Sequence, residues 1–289
     1  MKIAIWANTN KQEFWDLLPE LMSWCADNGQ EVYFTTRIDG MLENRSQYDY
    51  SIIKTADDFS EIDFVLAMGG DGTILSAARA VGPRKTPILG VHLGGFGFLA
   101  EGGVENIYGR LHSVIHRNYI IFPRMVLEAR IQDKREKLFH ALNDVVIDRG
   151  ESYRLMKCSL SMNGKLISSY SADGLIVSTP TGSTAYNLAA GGPIVAPWLS
   201  LLTVTPICPH TLSARPIVLP AHEELVITFP EAESELRLAV DGQVEEKLSV
   251  GDSLHVRRAP YDVQMITFED RDYFRTLRTK MGWGQAGDR

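Results

Sequence analysis

Cysteine is scarce in this chain of 289 residues, and its three copies, Cys25, Cys158 and Cys208, stand far apart with no CxxC pair. A disulfide framework is thereby excluded, and a reducing, cytoplasmic setting is expected. Cationic excess is absent as well. Lys plus Arg is 29 against Asp plus Glu 36, a formal net charge of −7. No nucleic-acid or membrane partner is expected from a surface of that balance. No stretch approaches the length of apolar residues that spans a bilayer, and the opening MKIAIWAN is too short for a signal-peptide core. Repeats and Gly/Ser-rich linkers are missing. So is GxxxxGK[ST], which excludes the P-loop way of holding a nucleotide, and GxSxG, which argues against a serine hydrolase. The seven histidines show no metal-ligand spacing.

What is present reads as a globular α/β chain. Lys2 to Ala7 reads as a buried strand. Asn10 with Glu13 three residues on predicts a helix N-cap, followed by Phe14, Leu17, Leu18, Leu21, Met22 and Cys25 at helical spacing. Pro19 interrupts that pattern, and Asn28-Gly29 predicts its stop. Strands are expected at Glu31–Thr35, Asp63–Met68 and Pro87–His92, with a helix from Ile74 to Ala80; residues 39–61 are polar and irregular. This alternation predicts a doubly wound parallel sheet. Near Pro123 the patterns shorten to period two. Asn163-Gly164 and Asp241-Gly242 predict hairpin turns. The expected organisation is an N-terminal α/β domain of residues 1–122, joined by a C-terminal tail at about 259–289 that reads as helical from Asp270 to Lys280, and a strand-rich domain of residues 123–258.

Gly69-Gly70-Asp71-Gly72-Thr73 follows a buried strand directly. Ligands bind beyond the carboxyl ends of such strands, and three glycines are expected to give the backbone unusual conformations and close approach to phosphate. An aspartate there repels an anion, so it fits better with a metal ion or with accepting a proton from an attacking hydroxyl. A tight turn with a capping aspartate explains the loop about as well. Gly94-Gly95-Phe96-Gly97-Phe98 is a second such loop after the next strand. Asn143-Asp144 lies inside an apolar run and suits a ribose diol, or equally an ordinary bulge. The run DGLIVSTPTGSTAYNLAAGGP, residues 173–193, sets a strand before a hydroxyl-rich turn and a small-residue helix from Ala185 to Ala190. A polar, anion-tolerant helix start is expected there. Arg271, Arg275, Arg278 and Lys280 read as a solvated helix face.

Taken together, GGDGT, GGFGFL at 94–99, Asn143-Asp144, the 173–193 run, Ser213-Ala214-Arg215-Pro216, Asp241-Gly242-Gln243 and LRTKMGW at 277–283 resemble the NAD kinase family. GGDGT alone also occurs in diacylglycerol and sphingosine kinases; the long 173–193 run makes the resemblance specific. The resemblance implies phosphoryl transfer from ATP to the 2′-hydroxyl of the adenosine ribose of NAD. It also implies a divalent metal, Mg²⁺, whose protein ligands it does not identify, and a homodimer or homotetramer. It places Asp71 as proton acceptor with Gly72 beside it in the nucleotide loop. Asn143 and Asp144 stand for a ribose-holding Asn-Glu pair. Asp173, Thr184, Ala185, Tyr186, Asn187, Leu188 and Ala189 fall at dinucleotide-contacting positions. So does Gln243, while Arg154 falls where a basic residue is frequent. Three departures stand out: Asp144 is a methylene shorter than Glu, Ala189 carries no hydroxyl, and His92 replaces an Asn. A non-catalytic dinucleotide sensor and a lipid kinase are the alternatives; an intact Asp71 argues against the first.

Overall fold

The computed structural model describes residues 1–95, 97–132, 137–230, 235–249 and 251–283. The chain divides into two compact units, Met1–Phe122 with Gln264–Arg289, and Pro123–Val263.

In the first unit, β1 (Lys2–Ala7), α1 (Gln12–Asp27), β2 (Glu31–Thr35), α2 (Thr36–Met41), β3 (Ser51–Ile53), β4 (Phe64–Gly69), α3 (Asp71–Val81), β5 (Ile88–His92), the short β6 (Gly102–Gly103) and α4 (Ile107–Ile115) follow in order. The strands form a parallel sheet in the order β5-β4-β1-β2-β3. Every residue of β4 is buried, as expected of a central strand covered on both faces. Phe14, Leu18, Leu21, Met22 and Cys25 of α1 pack beside Ile3, Ile5, Phe34 and Phe64 in one core. The start of α1 differs from expectation. Its N-cap is Lys11, with no side-chain cap. Asn10 accepts a hydrogen bond from Arg37 instead, at 3.1 Å, which takes its oxygen away from the helix. The helix runs through Pro19, which is exposed. The irregular stretch 39–61 contains β3 and a capping box between Thr55 and Asp58.

The second unit holds β7 (Ile120–Gln132), which starts in the first, then β8 (Lys137–Ala141), β9 (Asp144–Asp148), β10 (Met156–Met162), β11 (Lys165–Ala172), β12 (Gly174–Ser178), α5 (Tyr186–Ala189), β13 (Leu201–Ile207), β14 (Ile217–Pro220), β15 (Leu225–Thr228), β16 (Leu236–Val240), β17 (Val244–Leu248) and β18 (Ser253–Thr267). One antiparallel sheet has the order β14-β13-β12-β9-β16-β17. The other strands include an antiparallel β11-β10-β15-β18 run. Alternate residues of both, among them Val145, Ile147, Leu175, Val177, Leu160, Ile227 and Leu254, form a shared core. Met162 pairs with Lys165 across Asn163-Gly164, and both turn residues have positive φ, 53° and 72°. That is the two-residue hairpin predicted from Asn-Gly. β18 runs unbroken to Thr267, and the chain ends in α6 (Tyr273–Met281). Asp272 caps α6, and Thr276 and Leu277 are buried. Among the described residues no helix is long and apolar enough to cross a membrane.

Candidate functional site

In the first unit, β4 delivers the chain to its C-terminal edge, and α3 begins at once. Gly70 is the N-cap and Asp71 the first helical residue, where a negative charge is favoured by the helix dipole. The neighbouring loop after β5 folds over it. The Phe98 and Leu99 N–H groups donate to Asp71 Oδ2 and Oδ1, at 2.9 and 3.2 Å. Gly97 makes this possible, because a methyl group there would overlap the Asp71 carboxylate. The same loop is held from the tail, where Arg271 donates to the Phe98 carbonyl at 3.3 Å. Lys11 donates to the carbonyl of Leu93, and His92 stands at the end of β5 opposite Gly69. Asp71 is half-buried and Gly72 exposed. A carboxylate has about four acceptor positions, so two backbone donors leave capacity for an approaching hydroxyl.

One expectation for this loop is corrected. Gly69, Gly70 and Gly72 all have ordinary, negative φ, so unusual backbone conformation is not what they provide. Gly69 instead makes room for the Thr73 side chain, and Gly94 carries the positive φ, 95°, in the second loop.

In the second unit, Asn143 and Asp144 lie at the start of β9, with Asp144 opposite Ser178 of β12. The turn is gripped from both sides. Asp241, in the β16–β17 turn, accepts from the N–H groups of Leu142 (3.0 Å), Asn143 (2.7 Å) and Asp144 (3.1 Å). Thr179 donates its N–H to the Asn143 carbonyl at 2.8 Å and its hydroxyl to the Leu142 carbonyl at 2.6 Å. Gly182 lies against the Asn143 backbone, where a methyl group would overlap the carbonyl. Asp144 is only 4% exposed. Burial, and then the charge of Asp241, push its carboxyl up to about 7.

The hydroxyl-rich segment differs from the anion-tolerant helix start expected of it. Residues 181–184 form a single 3₁₀ turn, and α5 is only Tyr186–Ala189. The hydroxyls turn inward. Ser183, fully buried, donates to the Pro180 carbonyl at 2.7 Å and accepts from Val195 N–H at 2.9 Å. Thr184 bonds the Thr181 carbonyl. Asn187 is fully buried: its amide donates to the carbonyls of Ser183 and Pro193, and its oxygen accepts from the hydroxyls of Thr203 and Thr205. Its side chain therefore shapes the site from beneath. Thr184, Ala185 and Leu188 are partly exposed, Ala189 and Tyr186 exposed. Tyr186 feels Asp148, Cys208, Arg237 and Asp144, and its phenol is raised mainly by burial.

Asp173 pairs with Arg149 Nε at 2.9 Å, and Arg154 and Gln243 are exposed. The structure thus groups Asn143, Asp144 and Tyr186 in the second unit and places Asp71 and Gly72 in the first. Asp241, Thr179, Arg149 and the Asp148–Arg237 ion pair (2.7 Å) were missed from sequence. Asp241 and Thr179 left a signal, in the Asp-Gly-Gln turn and in the hydroxyl-rich run of residues 173–193; Arg149, Asp148 and Arg237 left none. Among the described residues no three His, Cys, Asp or Glu side chains gather as a metal cage.

Family models agree with this two-part layout. The ATP-NAD kinase N-terminal domain matches residues 3–119 and the ATP-NAD kinase C-terminal domain residues 142–268. An NAD kinase of Geobacter sulfurreducens is 38% identical, covering 98% of this chain and 99% of that protein. An NAD kinase of Gemmatimonas aurantiaca is 41% identical over 94% of each. Yeast NADH kinase, solved in complex with NADH, superposes with a TM-score of 0.91 at 26% identity, over 99% of this chain and 89% of that one. An NAD kinase from Archaeoglobus fulgidus in complex with ATP, 20% identical with a TM-score of 0.74 over 98% and 99%, shares the fold. The chain belongs to the ATP-NAD kinase family and is an ATP-dependent kinase.

Proposed function

We propose that the chain moves the terminal phosphoryl group of ATP onto the 2′-hydroxyl of the adenosine ribose of NAD, giving NADP, with Asp71 as the proton acceptor. The observation that carries this is the Asp71 carboxylate at the first turn of α3, oriented by two backbone N–H groups. Phosphoryl transfer asks a protein mainly for positioning and charge neutralisation. The sugar O–H proton passes to Asp71 as the sugar oxygen bonds to phosphorus and the bond to the bridging oxygen of ADP breaks. Asn143 and Asp144 hold ribose hydroxyls. Gly72 borders the nucleotide, and Asp173, Arg154, Gln243 and the Thr184–Ala189 segment line the dinucleotide position. The NADH held by the yeast relative makes a reduced acceptor a natural second substrate.

Among the described residues no three His, Cys, Asp or Glu side chains gather, and the Mg²⁺ is proposed to enter with the nucleotide substrate. When bound it neutralises charge on the phosphoryl oxygens. We further propose a cytoplasmic homodimer or homotetramer, following the family resemblance; light scattering on the purified chain would size it.

The deciding test is to incubate the purified chain with ATP, Mg²⁺ and NAD and to measure NADP with an NADP-specific dehydrogenase. NADP formation by wild type, lost in Asp71→Asn, supports the assignment. Undiminished turnover in Asp71→Asn overturns the base role.

A further inference from the structure

Two carboxyl groups meet where the β16–β17 turn abuts the start of β9, and their surroundings are unequal. Asp241, 9% exposed, accepts three backbone N–H bonds from Leu142, Asn143 and Asp144. Its own N–H returns a bond to the Asp144 carbonyl at 2.9 Å. Three such donors favour the charged form of a carboxyl group. The Asp144 side chain is more deeply buried, and among the described residues no hydrogen bond to its carboxyl is seen. Two negative charges at such a place are costly, and the proton settles on the group that lacks the amide donors.

We propose that Asp241 is a positioning residue for the Asn143–Asp144 pair. Its carboxylate fixes the backbone of that turn and, by carrying the charge of the couple, leaves Asp144 a neutral acid that donates a hydrogen bond to a ribose oxygen. The proposal rests on the reading of Asn143 and Asp144 as the ribose-holding pair. A neutral acid offers both a donor and an acceptor, which a ribose diol can match from either side. It also spares the dinucleotide, which brings its own negative phosphates, a second facing charge. Among the described residues the Tyr186 phenol from α5 is also coupled to Asp144; Asp148, Arg237 and Cys208 bear in turn on Tyr186. None of these supplies Asp144 with a hydrogen-bond donor among the described residues.

The test uses the full chain with ¹³C-labelled aspartate carboxyls, the Asp144 resonance being identified by its loss in Asp144→Asn. In wild type this group should titrate near 7, and in Asp241→Asn at least about one unit lower, because the neighbouring charge is gone. Kinetics supply the second reading. The wild-type KM for NAD should rise severalfold as the pH climbs through 7, and Asp144→Asn should show a flat profile. Asp241→Asn puts an NH₂ against backbone N–H donors, so its KM for NAD should rise ~10-fold or more with kcat kept within about threefold. An Asp144 titration in the ordinary carboxyl range, or one unmoved by Asp241→Asn, overturns the proton assignment. If Asp241→Asn does not fold, the wild-type titration and the flat Asp144→Asn profile still decide. If both variants raise KM for NAD and for ATP equally while Asp144 titrates as expected, the ribose reading is overturned and the proton assignment is supported.

Discussion

Asn187 and Thr205 are joined inside the second unit by a 2.7 Å hydrogen bond, the hydroxyl donating to the buried amide oxygen. Thr203 shares that oxygen, and the amide nitrogen serves two carbonyls. One side chain thus closes the turn of residues 183–193 onto β13. Asn187→Ala strands two carbonyls and two hydroxyls, so a stability loss of about 2–4 kcal/mol is expected. Chemical denaturation would measure it. A loss under about 0.5 kcal/mol would mean that water replaces the amide with ease.

Asp71→Asn keeps the size of the side chain and removes the base. kcat should fall about 10²- to 10⁴-fold with both KM values nearly unchanged. Steady-state kinetics with each substrate varied separates this from a binding defect.

Gly97→Ala tests how the Asp71 carboxylate is held. The added methyl group overlaps the Asp71 carboxylate and must push it or the loop aside. A fall in kcat of at least about tenfold is expected, since a small misplacement of a reacting group is costly. The melting temperature should change little, because the loop is partly exposed. Full activity in Gly97→Ala would show that the loop yields without disturbing Asp71.

Asp144→Ala should raise KM for NAD far more than KM for ATP. Equal effects on the two would remove Asp144 from the dinucleotide site.

Asp144 also makes stability depend on pH. An unfolded Asp loses its proton near 3.8, and the folded one holds it to about 7. Between those values the folded chain keeps a proton that the unfolded chain has released, so the contribution is full below about 4 and is lost as pH rises to 7. The distance between the two values sets a ceiling of about 4 kcal/mol. Asp144→Asn has no such dependence, so its stability relative to wild type should climb across this window. Calorimetry at both ends would show it; a constant difference would contradict the burial-driven shift.

The sheet was legible because its strands are short and apolar throughout, as in Phe64–Gly69, and because Asn163-Gly164 can do little but turn. The positions of Asp71 and Asp144 followed from motif. What each motif residue does locally was harder to read. Hydroxyl density at 179–184 pointed outward to an anion, but the hydroxyls of Thr179 and Ser183 satisfy backbone groups from within, a choice made by tertiary neighbours such as Val195 and Leu142. Asn10 fitted a helix cap until Arg37, 27 residues on, engaged it. Asp241 reaches back 97 to 99 positions to its three partners, a separation no local pattern encodes.

The two amide bonds from Phe98 and Leu99 tie the aim of Asp71 to a stretch of chain 27 and 28 residues downstream. Whatever shifts that stretch steers the Asp71 carboxylate as well, even without touching α3. A substitution that displaces residues 97–99 is therefore expected to lower turnover although it alters no residue of α3.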